Sequence, residues 1–287
     1  MAPGEVGARS ARRRVLITGG AGNVAGWLIR RLPPGTDLHV TVHRSPLIDR
    51  VRGTVTPHRV DPRSADDTTR LMDEVAPDVV IHTAYAQGSR AAIVTATGSV
   101  AAGAAEVGAS LVHLSTDVVF AGDHPPYDET SSPDPIDDYG RWKLGAERAA
   151  EAAVPDVCTV SISLAVSLDP PDRVTAALAG ALRGGRGVTL FHDEMRQPIR
   201  SQDLAAELWA LVALERTERA GTWHLPGPEH VSRLQLGSRL AAALGVDPGG
   251  IRSASAATHP APRVRDPRLV GRRRGALGVD LSPFDAW

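Results

Sequence analysis

Two side chains in this sequence are spaced for proton transfer. Tyr139-Gly-Arg-Trp-Lys143 sets a phenol and an ammonium four residues apart, which on a helix places them on one face, a turn apart. A phenol beside a fixed ammonium has its phenolate form stabilised, so its pKa is expected to fall. Such a tyrosine can give a proton to a carbonyl oxygen as hydride reaches the carbon, or take one back. Lys143 is the only lysine of the chain, and the other 31 of its 32 basic Lys and Arg side chains are arginines. With three tyrosines and one lysine, this spacing would arise by accident roughly 1% of the time, so the pattern is far from generic here. Arginine is a flat fork and lysine a compact point charge on a flexible stem, which makes the surviving lysine a candidate for a role arginine cannot fill. Leu111-Val-His-Leu-Ser-Thr-Asp117 offers Ser115 and Thr116 at the end of a strand. A hydroxyl there can hydrogen-bond and polarise the reacting carbonyl oxygen; strand alternation leaves open which of the two does so.

The hydride source is suggested by Val15-Leu-Ile-Thr-Gly-Gly-Ala-Gly-Asn-Val-Ala-Gly26, a glycine turn between a strand and a helix. Gly19 lets the chain turn tightly, and Gly22 lets the backbone approach a pyrophosphate seated on the helix N-terminus. Ala25 stands where a third glycine is usual and is small enough for close helix–strand packing. The next strand, Leu38–Val42, ends in His43-Arg44-Ser45, with no acid before Asp49. An acid there would bond the adenosine 2′-hydroxyl and favour NAD. Arg44 and a hydroxyl suit a 2′-phosphate instead, so NADPH is the expected cofactor, with NADH the alternative.

These residues need a frame that brings strand ends together. Strands are expected at Val15–Thr18, Leu38–Val42, Val55–Val60, Asp78–His82, Ser110–Ser115 and Val157–Ser163. Helices are expected at Val24–Leu32, Ala65–Val75, Ser89–Val107 and Asp138–Ala152, the last capped by Asp137 or Asp138. The alternation implies an α/β fold, a doubly wound parallel sheet of the Rossmann kind. After about Ala165, Pro, Gly and Arg become frequent, and helices at Asp172–Arg183, Ser201–Leu214 and Ser232–Leu244 are separated by irregular stretches. The expected division is a disordered tail at 1–13, a dinucleotide-binding domain at 14–165 and a smaller C-terminal substrate-binding lobe at 166–287, with soft and interleaving boundaries. Ligands of such folds bind at the carboxyl edge of the sheet.

Composition excludes other classes. A formal net charge of −1 gives no electrostatic case for nucleic acid or an anionic membrane. No apolar run approaches the roughly 20 residues of a membrane helix, and the Gly/Ala/Arg-rich start is not a secretory signal. The single cysteine, Cys158, forbids an intramolecular disulfide, so a reducing, cytoplasmic setting is expected. His39 and His43 share a strand face without a completing ligand, so no metal is expected. Arg272–Arg274 reads as a solvated surface turn.

Taken together, the motifs resemble the extended short-chain dehydrogenases/reductases, most nearly the dTDP-4-dehydrorhamnose reductase group. That group typically reads V-V-I-H-x-A-A, S-T-D-Y-V-F-x-G and Y-G-x-x-K-x-x-G-E. Here stand Val79-Val-Ile-His-Thr-Ala84, Ser115-Thr-Asp-Val-Val-Phe-Ala-Gly122 and Tyr139-Gly-Arg-Trp-Lys-Leu-Gly-Ala-Glu147. Asp193-Glu-Met-Arg-Gln-Pro-Ile199, Asp203-Leu-Ala, Gly221-Thr-Trp-His-Leu-Pro-Gly227 and Arg263-Val-Arg-Asp-Pro-Arg268 are similar to its later landmarks. The likeness spans about residues 14 to 280. It implies Thr116 on the substrate oxygen, Tyr139 as the acid and Lys143 on the nicotinamide ribose. Gly19, Gly22, Asn23 and Val24 would face the pyrophosphate, Asp61 the adenine, and Thr83 and Ala84 the ribose side. Asp117, Val118, Arg196 and Arg200 would meet the substrate, the arginines through its phosphate. Two positions depart from the pattern: Val118 replaces the tyrosine after S-T-D, and Tyr85 the second alanine of H-x-A-A.

The implied activity is reduction of a keto group, that of a nucleotide-linked 4-keto-deoxysugar, by a small-molecule enzyme with room for a homodimer. The alternatives are a non-catalytic NADP-binding regulatory subunit and an extended-type sugar epimerase. A dehydratase of this type would carry Asp-Glu where Asp117-Val118 stands.

Overall fold

The computed structural model describes residues 12–45, 47 and 55–283. The tail expected at 1–13 therefore lies outside the described residues up to residue 11, and Arg13 already belongs to the first strand. That strand, β1 (Arg13–Thr18), leads through the glycine turn into α1 (Asn23–Arg30). There follow β2 (Thr36–Val42), β3 (Thr56–Arg59), α2 (Ala65–Val75) and β4 (Val79–His82). A π-helical turn at Ala91–Thr95 runs into α3 (Ala96–Glu106), so the single helix expected there is two segments. Then come β5 (Ser110–Thr116), a 3-10 turn at Asp117–Val119, α4 (Asp138–Ala153) and β6 (Cys158–Ile162).

The remaining elements are β7 (Leu164–Val166), α5 (Arg173–Arg183), β8 (Val188–Phe191), β9 (Met195–Arg196), β10 (Pro198–Arg200) and α6 (Ser201–Ala213). After them come α7 (Arg216–Arg219), β11 (Gly221–His224), β12 (Val231–Ser232), α8 (Arg233–Ala243) and β13 (Ile251–Ala254). The central sheet has the order β11-β6-β5-β4-β1-β2-β3 and every pairing in it is parallel. The order reverses between β1 and β4, and there the carboxyl ends open a crevice suited to a dinucleotide.

Strand alternation sorts the core. Val15, Ile17, Ile81 and Val160 pack with Leu28 of α1 and Leu204 and Leu208 of α6 on one face. Leu16, Val80 and Leu111 pack with Met72 of α2, Val100 of α3 and Ala150 of α4 on the other. Both faces are covered, which is why these strands read as continuous apolar runs.

The stretch after Ala165 does not form one lobe. Leu178, Val231, Leu236 and Leu240 make a separate small core beside the pairs β10–β7, β12–β9 and β13–β8. α6 and β11 return to the central domain, β11 as its edge strand. Of Arg272–Arg274, expected as a solvated turn, only Arg272 is exposed; the other two turn inward. Arg273 stacks over Trp223 at 4.1 Å and donates to Ala220, Thr222 and Glu218 carbonyls. Arg274 pairs with Glu207 at 2.5 Å, and that carboxylate is fully buried. The reason is the returning helix: α6 buries an acid that needs a cation, and the C-terminal segment supplies one.

Candidate active site

The helix α4 carries both proposed proton-transfer residues, and its start is tightly specified. Asp137 caps it by accepting from Gly140 N at 2.7 Å. A Cβ on Gly140 would stand 2.3 Å from the Val118 carbonyl oxygen. Only glycine after Tyr139 therefore lets the first turn of α4 press against the turn that follows β5.

In that geometry the Tyr139 hydroxyl faces Thr116, and the Tyr85 ring lies 6.5 Å from the Tyr139 ring. Thr116 is buried and also bonds Asp117 at 3.3 Å. Ser115 faces elsewhere: its hydroxyl donates to the Glu147 carboxylate one turn beyond Lys143. The choice left open by the sequence thus falls on Thr116 as the hydroxyl beside the phenol.

Lys143 is 5% exposed and donates to the Leu114 carbonyl oxygen at 2.7 Å. Burial pushes its pKa down to about 8, opposed by the Glu147 charge. Burial also raises Glu147, while the Ser115 hydrogen bond and Lys143 act the other way. The Tyr139 pKa goes up, contrary to expectation. Burial is the main cause, the charges of Tyr85 and Asp117 add to it, and the facing Thr116 hydroxyl works against it. The Lys143 ammonium, committed to Leu114, does not offset this.

The glycine turn has the shape a pyrophosphate requires. Gly19 has φ +76°, and a Cβ there would stand 2.9 Å from Ala84 Cα, so the ends of β1 and β4 are in near contact. Side chains cap α2, α4, α5 and α8, but α1 begins at Gly22 with no side-chain cap and no acid in its first turn. A helix start left open beside glycines suits a phosphate anion. The residues present therefore fit a dinucleotide. At the far end, His43 and exposed Arg44 follow β2, and Asp61 lies beside His43.

This chain matches the family of the RmlD substrate binding domain over residues 13–284. The chain belongs to this family. With it, the chain belongs to the extended short-chain dehydrogenase/reductase group. A dTDP-4-dehydrorhamnose reductase of Mycobacterium tuberculosis is 30% identical over 238 residues, 79% of this chain and 77% of that protein. One from Mycolicibacterium smegmatis is 28% identical, matched over 66% of this chain and 58% of its own length. The methionine adenosyltransferase 2 subunit beta of Xenopus laevis is 28% identical over 75% of this chain and 69% of that protein. The crystal structure of dTDP-4-dehydrorhamnose reductase from Bacillus anthracis in complex with NADP superimposes with a TM-score of 0.78 over 95% of each chain, at 21% identity.

Several expected site residues are turned inward. Thr83 Oγ1 donates to the Thr18 carbonyl at 2.7 Å, and Val24 packs against the central core. Asn23 gives its amide to Ser201 Oγ and Ala165 O, tying the first turn of α1 to α6 and β7. Asp61 is gripped by Arg63 at 2.6 Å, which holds its pKa at about 2. Asp117 is 2% exposed, accepts from Thr116 Oγ1 at 3.3 Å and is faced by Ser163 and the Arg196 charge; burial dominates and raises its pKa.

The two arginines expected on one phosphate part company. Arg196 is 8% exposed and committed to Glu194, Met195 O and Val264 O. Arg200 lies at the start of α6 beside Gln202, on a cavity of about 200 Å³ that Trp27 and Ser167 also line.

Sequence reading missed Arg233 at the start of α8, whose charge faces Glu194, Arg196, Arg263 and Asp117. It also missed the pairing of Ser115 with Glu147 and the buried bonds of His82. Glu147 and His82 stood inside the quoted motifs, but nothing in one chain's pattern names their partners.

Proposed function

We propose that this chain is an NADPH-preferring reductase of a nucleotide-linked 4-keto-deoxysugar. Fold, family and the nature of the named relatives support a keto-group oxidoreductase acting on a sugar nucleotide. The observation that carries the residue assignment is the placing of the Tyr139 hydroxyl against Thr116 at the end of β5, with Ser115 turned away to Glu147. It lies on the same carboxyl edge as the contact of the Gly19 turn with Ala84.

The bound nicotinamide cofactor supplies the hydride. Thr116 holds and polarises the carbonyl oxygen. Tyr139, protonated at neutral pH, gives that oxygen its proton as negative charge develops. Lys143, anchored on Leu114 O, presents its remaining N–H donors to the nicotinamide ribose. Arg44 takes the 2′-phosphate. The lobe around α5 and α8 receives the sugar nucleotide. Tyr85 and Val118 alter its contacts near the reacting carbon relative to the group's pattern. A cytoplasmic setting and a homodimer belong to the same proposal, the second checked by light scattering.

The test is a binding screen of nucleotide-sugars against protein loaded with NADPH. A dTDP-linked deoxysugar should bind in preference to nucleotides lacking a sugar, and no selectivity would sink the substrate class. The relatives named methionine adenosyltransferase 2 subunit beta favour a second reading, a regulatory subunit that binds cofactor without turnover.

A further inference from the structure

Behind the glycine turn, β1, β4 and α3 are joined by a buried chain of hydrogen bonds that the catalytic pair does not use. The Thr18 hydroxyl accepts from Thr83 N and Ala84 N, each at 3.2 Å, and lies 2.7 Å from His82 Nδ1. His82 Nε2 lies 3.0 Å from Thr97 Oγ1, and Thr97 donates to the Ile93 carbonyl at 2.6 Å.

A hydroxyl has one proton and two lone pairs. Both Thr18 lone pairs are engaged by backbone N–H groups, so its proton goes to His82 Nδ1. Thr97 gives its proton to a carbonyl, which can only accept, so it must receive one from His82 Nε2. The two ends independently specify one tautomer.

We propose that His82 is a positioning residue for the cofactor turn: a neutral imidazole, protonated on Nε2, that orients Thr18 so that Thr18 holds the Thr83–Ala84 backbone against Gly19. The proposal rests on reading the Gly19 turn as the dinucleotide cradle. Ala84 Cα stands 2.9 Å from where a Gly19 Cβ would be, so a small shift of the β4 end closes or opens the crevice. His82 is 1% exposed, and burial together with the Lys143 charge pushes its pKa down to about 3, so it stays neutral in the working range. His113 stacks on it at 5.5 Å with neither ring nitrogen partnered among the described residues, and offers no competing bond.

The test uses the full chain, NADPH titration and nitrogen NMR of the histidine rings. Thr18→Val removes the hydroxyl and Thr18→Ser keeps it. His82→Gln keeps a donor towards Thr97 and loses the acceptor for Thr18; His82→Asn keeps an amide oxygen near the Nδ1 position. Thr18→Val and His82→Gln should weaken NADPH binding about tenfold, the scale of a broken buried hydrogen bond. Thr18→Ser and His82→Asn should stay within about threefold, and sugar-nucleotide affinity should hold throughout. The His82 ring should show the Nε2–H signature without titrating near neutral pH.

An Nδ1–H signature overturns the proposal. So does wild-type NADPH affinity in Thr18→Val and His82→Gln, or equal loss of cofactor and sugar-nucleotide binding in step with melting temperature. Should His82→Gln fail to fold, the Thr18 pair decides. Wild-type protein that does not bind NADPH would overturn the cradle itself, and this proposal with it.

Discussion

Burial sets the starting protonation states of the proposed catalytic pair: it raises the Tyr139 phenol and lowers the Lys143 ammonium to about 8. The first shift leaves Tyr139 protonated at neutral pH, as an ordinary tyrosine is, and makes it a weaker acid until charge develops on the substrate oxygen. Tyr139→Phe should lower kcat by at least about a hundredfold, the usual scale of general acid catalysis, with NADPH affinity retained. Steady-state kinetics with a cofactor titration checks both. The second shift has a signed pH consequence. The ammonium is present below about pH 8 and lost above it, so kcat/KM for NADPH should fall as pH rises through that value. A profile flat to strongly alkaline pH would contradict it. Lys143→Arg keeps the charge but puts a wide fork where a buried point charge meets Leu114 O, and activity should drop by at least about tenfold. At this scale the sequence showed the pair by its spacing. It could not show the direction of the Tyr139 shift, which depends on burial and on the neighbours Tyr85 and Asp117.

The elements explain why those residues meet. Helix α4 can dock on the end of β5 only because Gly140 has no side chain. Gly140→Ala should cost about 1–3 kcal/mol as an overpacked contact and lower kcat, since Tyr139 moves with the helix. Gly180, exposed in α5 with nothing within 4 Å of its Cβ position, is the control. Gly180→Ala should stabilise by about 0.5–1 kcal/mol through helix propensity alone. Thermal melts of the two variants should move in opposite directions. The strands and helices of the first half were legible because apolar runs of strand length alternate with helical ones. β9 and β12 were not, because strands of two residues carry no periodicity. Nor was the π-helical turn, since Ala91–Thr95 differs in no visible way from the alanine-rich helix it opens. The choice between Ser115 and Thr116 needed Glu147, a residue on another element.

At the scale of the molecule, the C-terminal half does two jobs. Part of it builds the small lobe around α5 and α8, and part returns to close the central domain. Arg274 marks the return, paired with Glu207 where that carboxylate is fully buried. Arg274→Leu leaves a buried acid unpaired and should cost about 3–5 kcal/mol, and the double variant with Glu207→Leu should recover part of the loss. Chemical denaturation measures both. Sequence allowed for interleaving but could not say which elements cross back, because α6 and β11 carry no compositional mark of the domain they join. Cofactor choice also belongs to this scale, since Arg44 follows β2, three strands across the sheet from β5 and the proposed catalytic pair. Arg44→Ala should raise the KM for NADPH and leave NADH nearly unchanged, and equal losses with both would overturn the 2′-phosphate assignment.

On the proposed reading, hydride leaves NADPH for a sugar ketone with Tyr139 as the acid. Its most direct test is a single-turnover experiment in which NADPH-loaded protein is mixed with a dTDP-linked 4-keto-6-deoxysugar and both partners are followed. The expected result is loss of one NADPH per sugar alcohol formed, with the rate cut by at least about a hundredfold in Tyr139→Phe. Tight NADPH binding with no consumption on any nucleotide-linked 4-keto sugar would contradict it and favour the regulatory reading. Turnover that is undiminished in Tyr139→Phe would contradict the assignment of the acid.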